Sequence, residues 1–392
     1  MARPVIISAC RTPIGKFGKS LVGVSAPKLG GLVIREAMSR AGLPGSKVGE
    51  VIMGNVVSAG LGQNPARQAA IAAKVPYSVG SVTVNKVCGS GLKAVALAAQ
   101  AVKAGDAEVV VAGGMESMSN SPYLVKNLRW GLKYGDARLL DAMILDGLWE
   151  AYNDFHMGMT GELIAKKHGI TRSEADEFSC ESHAKAARAI REGVFDEEKV
   201  NVEIEHEHGQ VSQFRDDECV RADTTMEKLA ALKPVFKKGG VLTAGNSSQL
   251  SDGASAVVVA SEDAADRLGA KPLARIVGYE TGGLDPKWVM EAPIPTTKAL
   301  LRKTKMTVGD IDLFEHNEAY ATASIAVRDA LGVDEARFNV NGGAVALGHP
   351  IGCSGARILT TLMYQMKRAG KRTGLATVCL GGGNAVSMIV ER

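Results

Sequence analysis

Short apolar, β-branched runs alternate with alanine-rich helical stretches along this chain, and the alternation recurs in its two halves. Apolar runs stand at Val51-Ile52-Met53, Val109-Val110-Val111-Ala112 and Val257-Val258-Val259-Ala260. Helical spacing marks Ala26–Arg40, Gly91–Ala104, Thr296–Thr304 and Ser354–Arg368. Strands that alternate with helices predict parallel sheets covered on both faces. A count of 45 Gly against 8 Phe and 3 Trp predicts tight turns and close backbone packing, as in α/β folds. At 392 residues the chain exceeds the usual limit of one hydrophobic core.

A faint internal duplication sharpens this picture. Ser90-Gly91-Leu92-Lys93 opens a helix, and the next strand ends in Ala112-Gly113-Gly114. In the second half Ser354-Gly355-Ala356-Arg357 opens a helix, and the strand Leu375–Leu380 ends in Gly381-Gly382-Gly383. Arg3–Gly15 and Lys271–Gly283 both read as a strand followed by a glycine-containing loop. Two such halves, stacked, would bring equivalent strand and helix tips to a shared centre. Between them, over Ser119–Gln249, the pattern loosens around Trp130, Tyr134, Trp149 and Tyr152, a charged helix at Arg172–Arg191 and a polar, hairpin-like Val202–Val211. This region reads as an insertion that covers something.

The richest local signal is Val84-Asn85-Lys86-Val87-Cys88-Gly89-Ser90-Gly91, which runs directly into Leu92–Gln100. It predicts a sharp strand-to-helix turn with Cys88 beside a helix N-terminus, where free N–H groups and the helix dipole favour an anion. A thiol so placed is expected to titrate below its free value of about 8.5. The flanking glycines would remove bulk where a substrate carbonyl approaches the sulfur. A buried structural cysteine beside a tight turn fits the same residues.

A cysteine nucleophile needs a base and donors for the developing oxyanion. Three segments of the second half offer them: Asn339–Gly352 around Gly348-His349-Pro350, Thr377-Val378-Cys379-Leu380-Gly381-Gly382-Gly383, and Phe314-Glu315-His316-Asn317-Glu318-Ala319-Tyr320. Each alone reads equally well as a capped turn, a core thiol or a helix start.

Composition narrows the remaining classes. Net charge is +4 with no dense basic run, which argues against nucleic acid as a partner while leaving local cations for a phosphorylated ligand. Six cysteines, at positions 10, 88, 180, 219, 353 and 379, form no CxxC pair and suit reduced thiols. No apolar run reaches the roughly 18 residues of a membrane span. The N-terminal Val5-Ile6-Ile7-Ser8-Ala9 reads as a first strand, and Val390-Glu391-Arg392 is no peroxisomal or ER address. A cytoplasmic protein is expected. Glu205-His206-Glu207-His208 reads as an exposed hairpin edge rather than a metal site, and no GxGxxG supports a dinucleotide site.

Taken together, Val87-Cys88-Gly89-Ser90-Gly91, Asn317-Glu318-Ala319-Tyr320, Asn341-Gly342-Gly343 through Gly348-His349-Pro350, and Cys379-Leu380-Gly381-Gly382-Gly383 resemble the four active-site blocks of the thiolases, in order and spacing, from Val5 to the C-terminus. Gly147–Asn153 with His156-Met157-Gly158 resembles the short-chain type within that family. The resemblance implies an α/β fold: duplicated βαβαβ halves in a layered α-β-α-β-α core, plus an inserted loop domain. Its parts would be residues 1–118 with 250–270, carrying the nucleophile; 119–249, covering coenzyme A and contributing oligomer contacts; and 271–392, carrying Asn, His and the second Cys.

The implied activity is reversible Claisen condensation of two acetyl-CoA to acetoacetyl-CoA and CoA, by a ping-pong route through S-acetyl-Cys88. The alternative is a broader 3-ketoacyl-CoA thiolase acting on longer chains. Carried over by motif, Cys88 would be the nucleophile, His349 its base and Cys379 the acid/base for the second acetyl-CoA. Asn317 would hold a water that, with His349, forms one oxyanion hole, and the N–H groups of Cys88 and Gly381 would form the other. Leu148, His156, Met157, Arg221, Phe236, Ala244, Ser248 and Tyr320 would line the coenzyme A site. Coenzyme A enters as substrate, with no tightly bound cofactor, no metal, no nucleic acid or membrane partner, and a homotetrameric dimer of dimers as the expected assembly. Three departures bear on the acyl pocket. Tyr320 replaces the usual Phe, Asp285–Pro293 lacks the usual Met-Gly-x-Gly-Pro form, and Asn384-Ala385 follow the triple glycine.

Overall fold

The computed structural model describes residues 2–206 and 209–392. Glu207 and His208, half of the acidic–histidine run, lie outside the described residues. His206 Nε2 of that run pairs with Ser212 Oγ at 2.7 Å on an exposed hairpin of Val202–Glu205 and Val211–Phe214.

The strands that position the site are β1 (Pro4–Arg11), β2 (Glu50–Gly54), β3 (Gly80–Val84), β4 (Val109–Ser117), β5 (Ser251–Ser261), β6 (Ala274–Gly283), β7 (Leu313–His316), β8 (Thr373–Leu380) and β9 (Asn384–Glu391). Hydrogen bonding orders them β7-β8-β9-β6-β1-β5-β4-β2-β3, with Gly15–Lys16 paired to β5. The order is palindromic about the β6–β1 seam: β1 matches β6, β5 matches β9, β4 matches β8 and β2 matches β7. That seam is only Val5↔Arg275 and Ile6↔Ala274, so two similar sheets touch along one short edge. The duplication expected from the sequence is therefore present in the pairing.

Alternating side chains sort the core into layers. On one face of the first sheet, Val5, Val111, Ala256 and Val258 pack under α1 (Ala26–Arg40) and α2 (Pro65–Ala72). On the other, Ile6, Val110, Val257 and Val259 pack against α3 (Ser90–Ala104) and α8 (Ile351–Arg368), which also bury Val378 and Met388 of the second sheet. Phe314, Leu375 and Ile389 face outward to α6 (Pro293–Thr304) and α7 (Ala321–Leu331). The result is α-β-α-β-α, with α3 and α8 as the middle layer. β5 is buried at every position, as a strand covered on both faces must be. Each fully buried Val, Leu or Ile contributes about 1.5–3 kcal/mol of transfer free energy.

Three local expectations are corrected. The sheets are mixed: β2 pairs in parallel with β3 and β4, and β7 with β8, whereas β1, β5, β6 and β9 run antiparallel to their neighbours. The three-residue Gly381–Gly383 link between β8 and β9 can join only antiparallel strands. Gly113 and Gly114 lie inside β4 rather than at its end, because a Cβ at either would stand 2.0 Å from Ser255 O or Gly352 O. Likewise Gly282 and Gly283 remain in β6, paired with Ala385 and Asn384.

Because β4 and β5 are antiparallel neighbours from Asp252↔Ser117 to Ala260↔Val109, the segment between them leaves and re-enters at the same sheet end. It holds α4 (Gly158–His168) and α5 (Arg172–Arg191). α5 spans the residues expected and starts with a capping box: Thr171 Oγ1 accepts from Glu174 N at 3.2 Å and the Glu174 carboxylate accepts from Thr171 N at 2.7 Å. Among the described residues no helix is long and apolar enough to cross a membrane.

Candidate active site

β3 runs into α3 through a turn that only a constrained backbone allows. Val87 has φ +46°, a left-handed conformation that is costly for a β-branched residue. The turn is held by Asn85 Oδ1 accepting from Val87 N (3.0 Å), Ser90 Oγ donating to Val87 O (2.6 Å) and Lys86 N donating to Ser90 Oγ (2.8 Å). Cys88 follows the strained residue and precedes the Gly89 N-cap, half-buried. The glycines here serve packing between the halves rather than substrate access. A Cβ on Gly89 would stand 2.3 Å from Leu380 Cδ2, and one on Gly91 2.7 Å from Ala356 N of α8.

His349 sits between Gly348 (φ +101°) and Pro350, the N-cap of α8. A Cβ at position 348 would collide with Ser251 Oγ at 2.2 Å. The His349 N–H donates to Gln249 O (2.9 Å) and Ser251 Oγ (3.2 Å), which ties the ring to the start of β5. Ser354 Oγ lies 2.5 Å from Nδ1 and donates its proton to Pro350 O at 3.0 Å. With its one proton so used, Ser354 accepts from Nδ1–H. That leaves Nε2 with its lone pair, 3.3 Å from Asn317 Nδ2.

Asn317 directly follows β7, with its N–H on Thr377 O at 3.1 Å and its buried Oδ1 free of any partner among the described residues. The next residue, Glu318, is buried and accepts from Asn339 Nδ2 (2.8 Å), Ser182 Oγ (2.7 Å) and Val345 N (3.1 Å). It therefore pins the loop that leads to His349. Glu116 does the same across the halves, accepting from Asn55 Nδ2 (2.9 Å), Val56 N (3.0 Å) and, in α8, Gly352 N (2.9 Å). Cys379, in β8, points its Sγ to Met290 Sδ at 3.6 Å.

These groups share one small cavity, about 40 Å³, lined by Cys88, His349, Cys379, Gly381, Met157 and Tyr320. It opens into a groove of about 490 Å³ that contains Leu148, His156, Arg221, Phe236, Ala244 and Ser248. Leu148, Ser248, Tyr320, His349 and Ile351 line both. Every residue expected at the coenzyme A site thus faces the groove or its inner end. Asn317, of the expected catalytic set, stands just behind it on His349. In the groove wall, the His156 and Phe236 rings stack at 4.9 Å, and Phe236 meets Tyr320 edge-on at 5.9 Å. A Cβ on Gly158 would be 2.3 Å from the Phe236 ring. A larger cavity, about 610 Å³ between α1 and the Val202–Phe214 hairpin, is lined by no cysteine or histidine among the described residues.

Electrostatics departs from the sequence expectation. Burial pushes the Cys88 thiol up to about 12, although its own N–H and that of Gly381 favour the thiolate. The helix N-terminus does not offset removal from water. Burial also raises the Cys379 thiol, with Cys88 adding to the effect. His349 is pushed down to about 3, first by burial and then by the Arg357 cation. The resting site therefore holds two neutral thiols and a neutral imidazole. Met290, within the segment expected to bear on the acyl pocket, lines the inner cavity, whereas sequence reasoning missed Ser354, and Lys16 and Phe17 at the groove. Only Lys16, a cation just after Gly15 in the first loop, left a readable signal for a phosphorylated ligand.

The chain is similar to known proteins over its whole length. The family model "Thiolase, N-terminal domain" matches residues 4–263, and "Thiolase, C-terminal domain" matches residues 270–392. The acetyl-CoA acetyltransferase of Cupriavidus necator is 52% identical over 392 residues, covering 100% of both chains. That of Pseudomonas aeruginosa is 50% identical over 388 residues, covering 99% of each. The crystal structure of the Bacillus anthracis acetyl-CoA acetyltransferase superposes with a TM-score of 0.98 at 42% identity, covering 100% of this chain and 99% of the other. With its sulfur-lined cavity, its duplicated fold and both family models in register, this chain belongs to the thiolase family of acyltransferases.

Proposed function

We propose that this chain is an acetyl-CoA C-acetyltransferase that condenses two acetyl-CoA to acetoacetyl-CoA and CoA, reversibly and by a ping-pong route. The observation that carries the reading is the convergence of Cys88, Cys379 and the unprotonated Nε2 of His349 on one cavity of about 40 Å³. A cavity of that size suits an acetyl group, since one water requires roughly 10–15 Å³. The relatives named acetyl-CoA acetyltransferase support the short-chain substrate over a longer one.

In the first half-reaction Cys88 Sγ attacks the thioester carbonyl while its proton passes to His349 Nε2. The N–H groups of Cys88 and Gly381 face the sulfur and would receive the oxyanion; one such donor is worth about 3–4 kcal/mol. Collapse of the intermediate breaks the bond to CoA, and His349 returns the proton to the departing thiolate. Acetyl-Cys88 remains.

In the second half-reaction Cys379 gives its proton to the free His349, and its thiolate takes one from the methyl of the second acetyl-CoA. The enolate oxygen lies against the imidazolium and a water held by Asn317. The enolate carbon then attacks acetyl-Cys88, the carbon–sulfur bond breaks, and His349 reprotonates the Cys88 thiolate. Both thiols end as they began, so protons balance over the cycle.

Coenzyme A is thus substrate, its pantetheine lying in the groove of Leu148, His156, Phe236, Ala244 and Ser248, with Met157 and Tyr320 at the inner end and Arg221 toward the phosphates. Residues 1–118 with 250–270 and residues 271–392 act as the two catalytic halves, and 119–249 as the cover. The cover exposes Tyr123, Leu128, Trp130, Leu132, Tyr134 and Leu139, an apolar surface suited to contacts between copies in a homotetramer. The free cysteines fit a reducing, cytoplasmic setting. The test is mass spectrometry after mixing with acetyl-CoA. One acetyl group on Cys88 is expected, and folded protein that gains none would refute the mechanism.

A further inference from the structure

We infer that Arg357 is a positioning residue for His349: its buried guanidinium links α8, whose start carries the base, to β7, which leads into Asn317, and sets a fixed positive charge behind the imidazole. The inference rests on the thiolase reading above, in which His349 takes the Cys88 proton, and adds to it a residue that touches no substrate.

Side-chain alternation along β7 supplies the partner. Leu313 packs inward with Ile358 and Leu359 of α8, and Phe314 faces outward to α6 and α7. Glu315 therefore returns to the inner face. There its Oε2 lies 4.0 Å from Arg357 Nη1, with the Arg357 and Glu315 side chains 1% and 2% exposed. Arg357 stands one helical turn beyond Ser354, the acceptor for His349 Nδ1. At the other end, β7 leads into Asn317, whose Nδ2 is 3.3 Å from His349 Nε2. The pair thus ties together the two elements whose ends form the His349–Asn317 contact.

A second buried arginine shows what sets Arg357 apart. Arg11 Nε donates to Glu198 at 2.5 Å, and its Nη1 and Nη2 donate to Asp217 at 2.6 and 2.9 Å. Those carboxylates clamp and neutralise that guanidinium. Arg357 has no clamp: its Nε, Nη1 and Nη2, and Glu315 Oε2, hydrogen-bond to no described residue. The other carboxylates facing this layer, Glu318, Glu198 and Glu116, are each closed by hydrogen bonds of their own. Cys353, one turn before Arg357 on α8, is a thiol that burial keeps neutral. The field of Arg357 is therefore left to act on Glu315 and on His349.

A fixed cation behind an imidazole disfavours the imidazolium. In the resting site it opposes a thiolate–imidazolium pair between Cys88 and His349. Once His349 has taken the Cys88 proton, the same cation makes the imidazolium a readier donor to the departing CoA thiolate. A guanidinium stays charged at every working pH, so the bias does not switch off.

The experiment follows alkylation of Cys88 by iodoacetamide from pH 6 to 9, read by peptide mass spectrometry, in wild type, Arg357→Met, Arg357→Lys and the double variant Arg357→Met/Glu315→Leu. The thiolate is the species alkylated. Arg357→Met should move the profile to lower pH by about one unit, or about tenfold faster alkylation at neutral pH. Arg357→Lys keeps the charge and should keep the wild-type profile. The double variant removes both buried charges and is expected to fold even where Arg357→Met alone does not; its profile should shift in the same direction. A merely structural role predicts otherwise: Lys would fail as Met does, since both lose the planar fork, and the double variant would return to wild type. Either result, or a folded Arg357→Met with the wild-type profile, would overturn the inference. A wild type that gains no acetyl group from acetyl-CoA would instead sink the thiolase reading, and the alkylation profiles would still decide the role of Arg357.

Discussion

Ser354 Oγ lies 2.5 Å from Nδ1 of His349 while donating to Pro350 O, and this one contact decides which imidazole nitrogen is basic. Nδ1 must carry the proton, so Nε2 faces the sulfur cavity and Asn317 as an acceptor. The serine sits in the first turn of α8, whose start Glu116 fixes through Gly352 N. Orientation of the base thus derives from a carboxylate of the other half.

Ser354→Ala removes the acceptor that selects this tautomer. Acylation of Cys88 should slow about 10- to 100-fold, the range for losing a group that orients a functional histidine. Stopped-flow release of CoA from acetyl-CoA reads the step directly, and an unchanged rate would contradict the tautomer assignment.

Cys379→Ser separates the half-reactions. The variant keeps Cys88, His349 and the Gly381 N–H, so acetylation of Cys88 should persist within a few-fold. Carbon–carbon bond formation should fall about 10²- to 10⁴-fold, the typical contribution of a positioned acid/base. Equal loss in both steps would reject the role given to Cys379.

Buried neutral histidines make the fold acid-sensitive in a calculable direction. His316 is wholly buried, with Nδ1 3.0 Å from Ser324 Oγ, and burial lowers it from 6.5 to about 3. The unfolded chain binds a proton there below about pH 6.5 and the folded chain does not, so this stability contribution is lost as pH falls from about 6.5 toward 3. At pH 5 the loss is on the order of 2 kcal/mol, from 1.36 kcal/mol per pH unit. His316→Asn keeps a polar atom near Ser324 but cannot titrate. Its denaturant midpoint should drop less than that of wild type between pH 7 and pH 5, and parallel pH profiles would rule the account out.

The four active-site segments were legible because each couples a local backbone requirement to a chemical group. Cys-Gly-Ser-Gly after a β-branched run forces a strand-to-helix turn, and Gly-His-Pro fixes a ring before a helix. The groove residues entered through the family resemblance rather than through any local pattern. What escaped was non-local. The Met290–Cys379 contact joins residues 89 apart in sequence, and the return of β5 beside β4 spans the whole insertion. The raised Cys88 thiol escaped for a related reason. A helix N-terminus is visible in sequence, whereas the burial that outweighs it exists only once both halves have closed over the turn.

The tightest consequence of that closure is at the crossing of α3 and α8. A Cβ on Gly355 would stand 2.5 Å from Leu92 N and 2.8 Å from Leu92 Cβ, while Gly91 opposes Ala356 N. The obstacle is backbone, which cannot rotate away, so Gly355→Ala must force the helices apart. The favourable helix propensity of Ala, about 1 kcal/mol over Gly, works against the overpacking penalty of about 1–3 kcal/mol or more. The penalty should prevail here because Leu92 N lies in a packed middle layer with no room to shift. Gly370→Ala, just beyond the end of α8 where a Cβ would meet nothing within 4 Å, controls for general effects, although its φ of +62° carries its own strain. Urea unfolding should show Gly355→Ala the less stable of the two. It should also show slower Cys88 acylation, because separating the helices moves Cys88 at the start of α3 from His349 at the start of α8. A Gly355→Ala variant as stable and as quickly acylated as wild type would mean that the glycines do not set the helix spacing.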